Sequence, residues 1–473
     1  MAPRLTPWWR ARAAMERPSR YAARAVGLVG WDGRAAAALA ALRLSGQPVV
    51  RQLPLEVALE FAGGGEGLHH ELHCGQQLAG AGVAGGEVHR GERAVGRGLT
   101  QHGLSEASGV SVSWIRKLEQ GEQQDTRLET ARKLAAALGV STTRLIAGHR
   151  GDEADEATRE RWEPVRQTLT FSAPDRGADQ APTREGVSAA LTAALPLFSG
   201  DRFAELRPIL PALLRDADTL AHLDPRNRHL RGRLLQLTGW LMVQTRQFDA
   251  AETALTGAMD DAVDQLDGAA IASTRCWLLL REGRLAEARA LSVRWSDDME
   301  PRLSRATPAE LSAWGWLLLR ASAAAVRDNE SDAARDTLRL AHAAAVAMGR
   351  EFAPDGDFLR AFGPLTVAFK RAENAMVAEE PDHVLSLAAR IPTSGLRPTS
   401  NNRNRHLLDV ARAQVMKHRP TDAFEVLQGV WSDAPEWLPN QRYARDILSD
   451  IIAGRRTMTP EMQAMADVLG VPV

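Results

Sequence analysis

Cysteine is nearly absent: the 473-residue chain has only Cys74 and Cys276, far apart in sequence. That excludes a disulfide framework and a four-thiolate zinc site and favours a reducing compartment. The chain also lacks any run of about 18 uninterrupted apolar residues, and its N-terminus has no compact apolar core followed by a cleavage site. Neither a membrane span nor export is expected, so the location expected is cytoplasmic. Net charge is close to zero, at −1, so any contact with nucleic acid must come from a local basic patch. Lysine is confined to positions 117, 133, 370 and 417, leaving arginine to supply 54 of the 58 basic residues. No nucleophile elbow, phosphate loop, metal-spaced ligand set or carboxylate pair occurs, so neither an enzyme nor a cofactor is expected.

What is present is an ordinary balance of 44% hydrophobic and 25% charged residues, on a chain longer than the roughly 250 to 300 residues one core organises. Two or three domains are expected. Residues 1–97 mix WWRARAAMERPSRYAARA with GGGEG and GAGVAGGEV and keep neither a 3.6 nor a 2 period. They read as a low-complexity extension, disordered or anomalous. Within it HHELHC places His69 and His73 one helical turn apart, beside Glu71 and Cys74. The group has no second half at ligand spacing and sits between glycine-rich segments, so a solvated stretch is expected over a metal site.

From Gly98 the pattern changes. GLTQHGLSEASGVSVSWIRKLEQGEQQDTRLETARKLAAALGVSTTRLIAG divides into short helical pieces, with apolar positions at Leu104, Ala107, Val110, Ile115, Leu118, Leu134, Leu138 and Leu145 for a small core. Thr100 is placed to cap a helix starting at Gln101, Gly109 to make a sharp turn, and Ser111 to cap a second helix that ends at Gly121. In that second helix Ile115 and Leu118 face inward. Val112, Ser113, Arg116 and Lys117 are left on or beside the outward face near the N-terminal end, which can enter a major groove.

On Thr100-Gln101, Leu104, Gly109-Val110, Ile115, Glu119, Gly121, LAAALGV and STTRLI, the segment resembles the XRE (Cro/repressor-type) helix-turn-helix regulators over about 50 residues. The resemblance implies a DNA-binding domain at 98–149. Carried over residue by residue, it implies Gln101 as a phosphate contact, Val112, Ser113 and Lys117 as base-reading positions, Arg116 and Arg127 as backbone contacts, and Ser111 at the mouth of the same helix. Where the family has a first amphipathic helix, here 87–97, Arg90 and Arg93 replace aliphatics and Gly91 and Gly96 intervene. That helix is degenerate. Together with the patternless residues before it, this points to a reading frame or start site upstream of about residue 98 unlike that of an ordinary member.

Residues 150–186, rich in acid, proline and glycine, read as a linker with TLTFS as a short strand-like interruption. From 187 to 473 the chain reads as helix pairs. LLQLTGWLMVQTRQFDAAETALTGAM, STRCWLLLREGRLAEARALSVRW and RHLLDVARAQVMKHRPTDAFEVLQGVW each give helix, turn, helix. Ala251, Ala288 and Ala423 open the second helices, Gly239 plays the same part on the first helix of one pair, with Leu255 and Ala258 further along its second helix, a fourth unit carries Ala334, Leu338 and Ala341, and a weaker fifth surrounds Val384. The series resembles the tetratricopeptide repeat (TPR) family, with the tail RYARDILSDIIAGRRTMTPEMQAMADVLGV, residues 442–471, as terminal capping helices. Trp240, Trp277, Trp314, Trp316 and Trp431 fall inside these helices, where tryptophan is ordinarily core. Arg403 and Arg405 in NNRNRHLL suit either a solvated loop or a carboxylate-bearing ligand.

The fold class expected is therefore all-α: a small helix-turn-helix DNA-binding domain followed by a TPR-like α-solenoid. The function implied is a sequence-specific DNA-binding transcriptional regulator. Its partners would be double-stranded DNA and a second copy in a homodimer formed within 187–473, with a peptide, protein or small-molecule effector in the repeats. The alternative is a TPR-like interaction scaffold with a vestigial head.

Overall fold

The computed structural model describes residues 99–120, 126–146, 156–171, 181–354, 357–391, 400–455 and 457–472. The N-terminal extension with its HHELHC group, and the degenerate helix at 87–97, lie outside the described residues.

Short helices build the head: α1 (Gln101–Ser108), α2 (Val112–Glu119), α3 (Leu128–Leu138) and α4 (Thr142–Ile146). Leu104, Val110, Ile115, Leu118, Leu134, Leu138 and Leu145 are all buried as the apolar spacing requires. Ala107 is not: it lies one position from buried Ser108 and is exposed.

The segment 150–186 is a linker only in part. Helix α5 (Glu156–Thr170) occupies its centre and buries Trp162, Val165 and Leu169 in the main core. These residues recur at three and four positions, so they form one helical stripe, and Thr168 to Thr170 of the expected strand belong to this helix. Arg166 fixes it with a bidentate pair to Asp249, at 2.7 and 2.8 Å.

Six antiparallel helix pairs follow among the described residues: α6 (Arg184–Ser199) with α7 (Phe203–Leu223), α8 (Arg228–Gln244) with α9 (Phe248–Asp260), α10 (Gln265–Arg281) with α11 (Leu285–Asp298), α12 (Pro308–Arg327) with α13 (Ser331–Met348), α14 (Pro364–Val377) with α15 (Pro381–Ala388), and α16 (Ser400–Met416) with α17 (Pro420–Asp433). Their turns share one design. Asp201, Arg246, Gly283, Asn329, Glu379 and His418 each adopt a left-handed conformation, with φ of 56°, 64°, 77°, 61°, 63° and 57°. The next residue's N–H then donates to the carbonyl five positions back, as in Gln247 to Met242 at 2.8 Å and Arg284 to Leu279 at 2.9 Å. This closes the helix end by the six-to-one bond of a Schellman turn.

Small residues sit where paired helices cross. Ala251, Ala288 and Ala423 are fully buried, and a Cβ on Gly239 would lie 2.7 Å from Leu255 Cγ. Two closing helices, α18 (Arg442–Ala453) and α19 (Pro460–Leu469), bury Ile447, Leu448, Ile451, Met462, Met465 and Leu469.

The array also curls until its ends meet. Trp437 Nε1 donates to Gln244 Oε1 at 3.2 Å, Glu436 accepts from the Ala204 N–H at 2.7 Å, and Asn401 donates to Asp201 at 2.9 Å. One hydrophobic cluster accordingly runs from Trp162 through the first two pairs to the last pair and the closing helices. The first helices of the pairs face the enclosed space.

Candidate nucleic-acid interface

Local hydrogen bonds set the angle between α1 and α2. Thr100 caps α1 by accepting from the Gly103 N–H at 3.1 Å. Gly109, at φ 68°, ends it, and its N–H donates to the Ser105 carbonyl at 2.8 Å. Ser111 is extended and accepts from the Trp114 N–H at 3.3 Å, so its hydroxyl caps α2. The same oxygen lies 3.2 Å from Ser113 Oγ. Underneath, Ile115 and Leu118 are fully buried, while Trp114 packs on the head core and directs Nε1 at Thr126 Oγ1, 3.4 Å away.

This leaves one free face on α2. Ser113, Arg116 and Lys117 are exposed and Val112 is half-buried beside them. Two cations and a hydroxyl within five residues of a helix N-terminus give hydrogen-bond donors for base edges or phosphates without any backbone rearrangement.

Gln101 and Arg127 are placed differently from these four. The Gln101 amide donates to the Glu119 carboxylate, tying the start of α1 to the end of α2. Gln101 thus braces the two helices that a duplex would meet. Arg127 precedes α3 and pairs with Asp446 of α18 at 3.0 Å, yet its side chain stays 57% exposed. Burial raises the Asp446 carboxyl above its ordinary range, against the opposing pull of Arg127 and Arg442. Both residues edge an open cleft of about 1000 Å³ that also carries Arg161, Arg207, Arg442 and Arg445, so basic side chains of the head and of the array line one surface.

The head rests on the turn edge of the array through α3 and α4. Ala131 is fully buried against Leu279, Leu285, Ala288 and Ala324. Asp328 Oδ1 accepts from both the N–H and the hydroxyl of Thr143, at 2.7 and 2.8 Å. Thr142 donates to the Arg327 carbonyl at 2.8 Å and receives the Asn329 amide at 3.1 Å. Glu379 takes Arg132, with Lys133 at 3.6 Å. Ser113, Arg116 and Lys117, exposed on α2, take no part in these contacts. None of the polar docking residues was assigned a contact from sequence; Asn329 and Glu379 hold left-handed turn positions where glycine is the cheaper residue.

Among the described residues no group of three or more His, Cys, Asp or Glu is arranged to hold a metal ion, and no helix is long and apolar enough to cross a membrane.

The helix-turn-helix family matches residues 92–145, the span that resembles the XRE-type regulators, and the match does not extend into the helical array. No curated protein and no solved structure matches the chain.

Proposed function

We propose that the chain is a sequence-specific DNA-binding transcriptional regulator and not an enzyme. The observation that carries this reading is the exposed set of Ser113, Arg116 and Lys117 on a capped helix, within a head whose residues match the helix-turn-helix family. Lys117 and Ser113, with Val112, read bases; Arg116 and Arg127 hold the phosphate backbone; Gln101 and Ser111 keep the helix at its angle. A single head covers one short half-site, so two copies pair through the array to read two half-sites. The array also receives an effector that biases the arrangement of the heads.

Affinity measured against salt tests the reading. Neutralising several phosphates makes the logarithm of affinity fall linearly with the logarithm of salt, by about 0.9 for each phosphate contacted. Full-length protein should bind genomic fragments at low salt and release them along such a slope. No binding at low salt would leave the scaffold reading in its place. Light scattering on the full chain tests the pairing: a monomer at tens of micromolar would remove it.

A further inference from the structure

The closed array contains a chamber whose chemistry the DNA-reading head does not use. It has two adjoining compartments, of about 80 and about 70 Å³, that share Trp277, Trp316, Arg320, Lys370 and Arg405. A cavity of roughly 150 Å³ is the size that takes a single benzene ring. Its walls are aromatic: Trp240, Trp277 and Trp316 come from three successive first helices, and Trp437 comes from the far end of the array.

The charge in these walls is one-sided. Glu373 is engaged by Lys370 at 2.6 Å and Arg327 at 2.7 Å. Among the described residues, Arg281, Arg320 and Arg405 have no carboxylate at ion-pair distance. Arg320 instead lies over the ring of Trp316 at 4.9 Å and that of Trp277 at 5.9 Å, and Arg405 lies 5.9 Å from the Trp437 ring. Burial pulls the Arg320 guanidinium down to about 10, against the attraction of Cys276 and Glu373, and Arg327 and Arg405 add a smaller repulsion. Arg281 is held well below its usual range by burial and by Arg405, Arg246 and Arg327. Cations brought together in a low dielectric without counter-charge oppose folding. They favour it once an anion enters.

A second observation points the same way. Gln236 is 5% exposed and lines the chamber; its Oε1 accepts from Arg233 at 2.7 Å, which leaves Nε2 a buried donor without an acceptor. Of the two arginines in NNRNRHLL, Arg405 faces the chamber, while Arg403 turns outward to Asp433 at 3.6 Å.

We propose that the chamber binds a small aromatic carboxylate, its ring held among the tryptophans and its carboxylate held by Arg320, Arg405 and the Gln236 amide. Guanidinium matches carboxylate in plane and in donor spacing, and the tryptophan walls favour a flat apolar body over a bare inorganic anion. The proposal gives a chemical class to the effector of the preceding section. As a regulatory statement it rests on that reading; as a binding site it does not. The route to the head is short, because Arg327, paired with the chamber's Glu373, gives its carbonyl to Thr142 and precedes Asp328 and Asn329.

Titrating the full chain with benzoate, benzamide and inorganic phosphate, followed by tryptophan fluorescence and calorimetry without DNA, decides the matter. Benzoate should bind saturably below about 10 mM, with benzamide and phosphate each at least about tenfold weaker. Arg320→Gln and Arg405→Gln should each weaken benzoate by about tenfold or more, and Arg320→Gln should leave the melting temperature of the ligand-free protein level or higher. Arg403→Gln should change nothing. Equal affinity for benzoate and benzamide, phosphate binding as tightly as benzoate, no saturation by about 10 mM, or an Arg320→Gln variant that binds as the parent would each overturn the proposal. DNA is absent throughout, so failure here and failure of the DNA-reading proposal stay separate results.

Discussion

Lys117 and Ser113 stand on the exposed face of α2, whereas Gln101 spends its amide on Glu119 at the base of the same helix. That difference predicts two kinds of defect. Lys117→Ala and Ser113→Ala should alter which sequences are preferred, at about 1–3 kcal/mol for each lost base contact. Gln101→Ala should weaken all sequences about equally, since it loosens the frame and reads nothing. Competition assays with two unrelated high-affinity sites separate the two patterns, and a uniform loss for Lys117→Ala would show that the recognition helix is misassigned. Another residue-scale prediction concerns His406, stacked on Phe369 with ring centroids 4.7 Å apart, its Nδ1 without a partner. Burial pulls its titration down to about 4. In the unfolded chain it titrates near 6.5, so its contribution to stability is present above about 6.5 and is lost as pH falls toward 4, by about 2 kcal/mol at pH 5. Asp409 on the same helix acts oppositely, since burial and Glu373 push its carboxyl up to about 7, giving stability at low pH that is lost as pH rises through that value. The comparison must therefore be between proteins. The stability of His406→Phe relative to the parent should improve steadily from pH 7 to pH 5, and a constant difference over that range would contradict the account.

At the scale of elements, the turn after each first helix explains both what could be read from sequence and what could not. Repeated pairs were legible because crossing helices demand small residues, and Gly239, Ala251, Ala288 and Ala423 stand at the crossings. The pair α6 and α7 was missed, since Pro196, Pro208 and Pro211 lie inside its helices. Helix α5 was missed because Pro164 and a charged composition hide the stripe of Trp162, Val165 and Leu169. The left-handed turn residues were missed for another reason: only Gly283 announces one. Three of the others use their side chains, with Asp201 accepting from Asn401, Asn329 donating to Thr142, and Glu379 accepting from Arg132. His418 makes no side-chain bond among the described residues, which isolates the backbone cost. His418→Gly should leave the fold intact and raise stability by about 0.5–1 kcal/mol, and Gly283→Ala should lower it by about 1 kcal/mol or more. Denaturant unfolding of the two variants checks both signs, and a destabilised His418→Gly would mean that position carries an interaction beyond the turn.

At the scale of the whole molecule, the head was legible as a unit because its caps, glycine turn and core all lie within 50 residues. Its seat on the array was not. Its hydrogen-bonding partners are 185 to 319 positions away, as with Thr143 and Asp328 or Arg127 and Asp446, and single acids in the sequence carry no sign of such a contact. The closing of the array on itself is equally long-range. Removing the Asp328 carboxylate should leave the Thr143 N–H without its acceptor, at a cost of about 1–3 kcal/mol. Asp328→Ala is therefore expected to raise hydrogen exchange in α3 and α4 while α8 to α10 keep the protection of the parent. Unchanged exchange in the head would mean that the docked arrangement does not depend on this contact.

The central claim is that α2 reads sequence, and selection of bound sites from random DNA by the full-length protein, with Lys117→Ala run in parallel, tests it most directly. The account predicts an enriched motif of two related half-sites with centres about one helical turn apart, roughly 10–10.5 base pairs, and a change within each half-site when Lys117 is removed. No enriched motif, or the same motif with undiminished enrichment from Lys117→Ala, would contradict it.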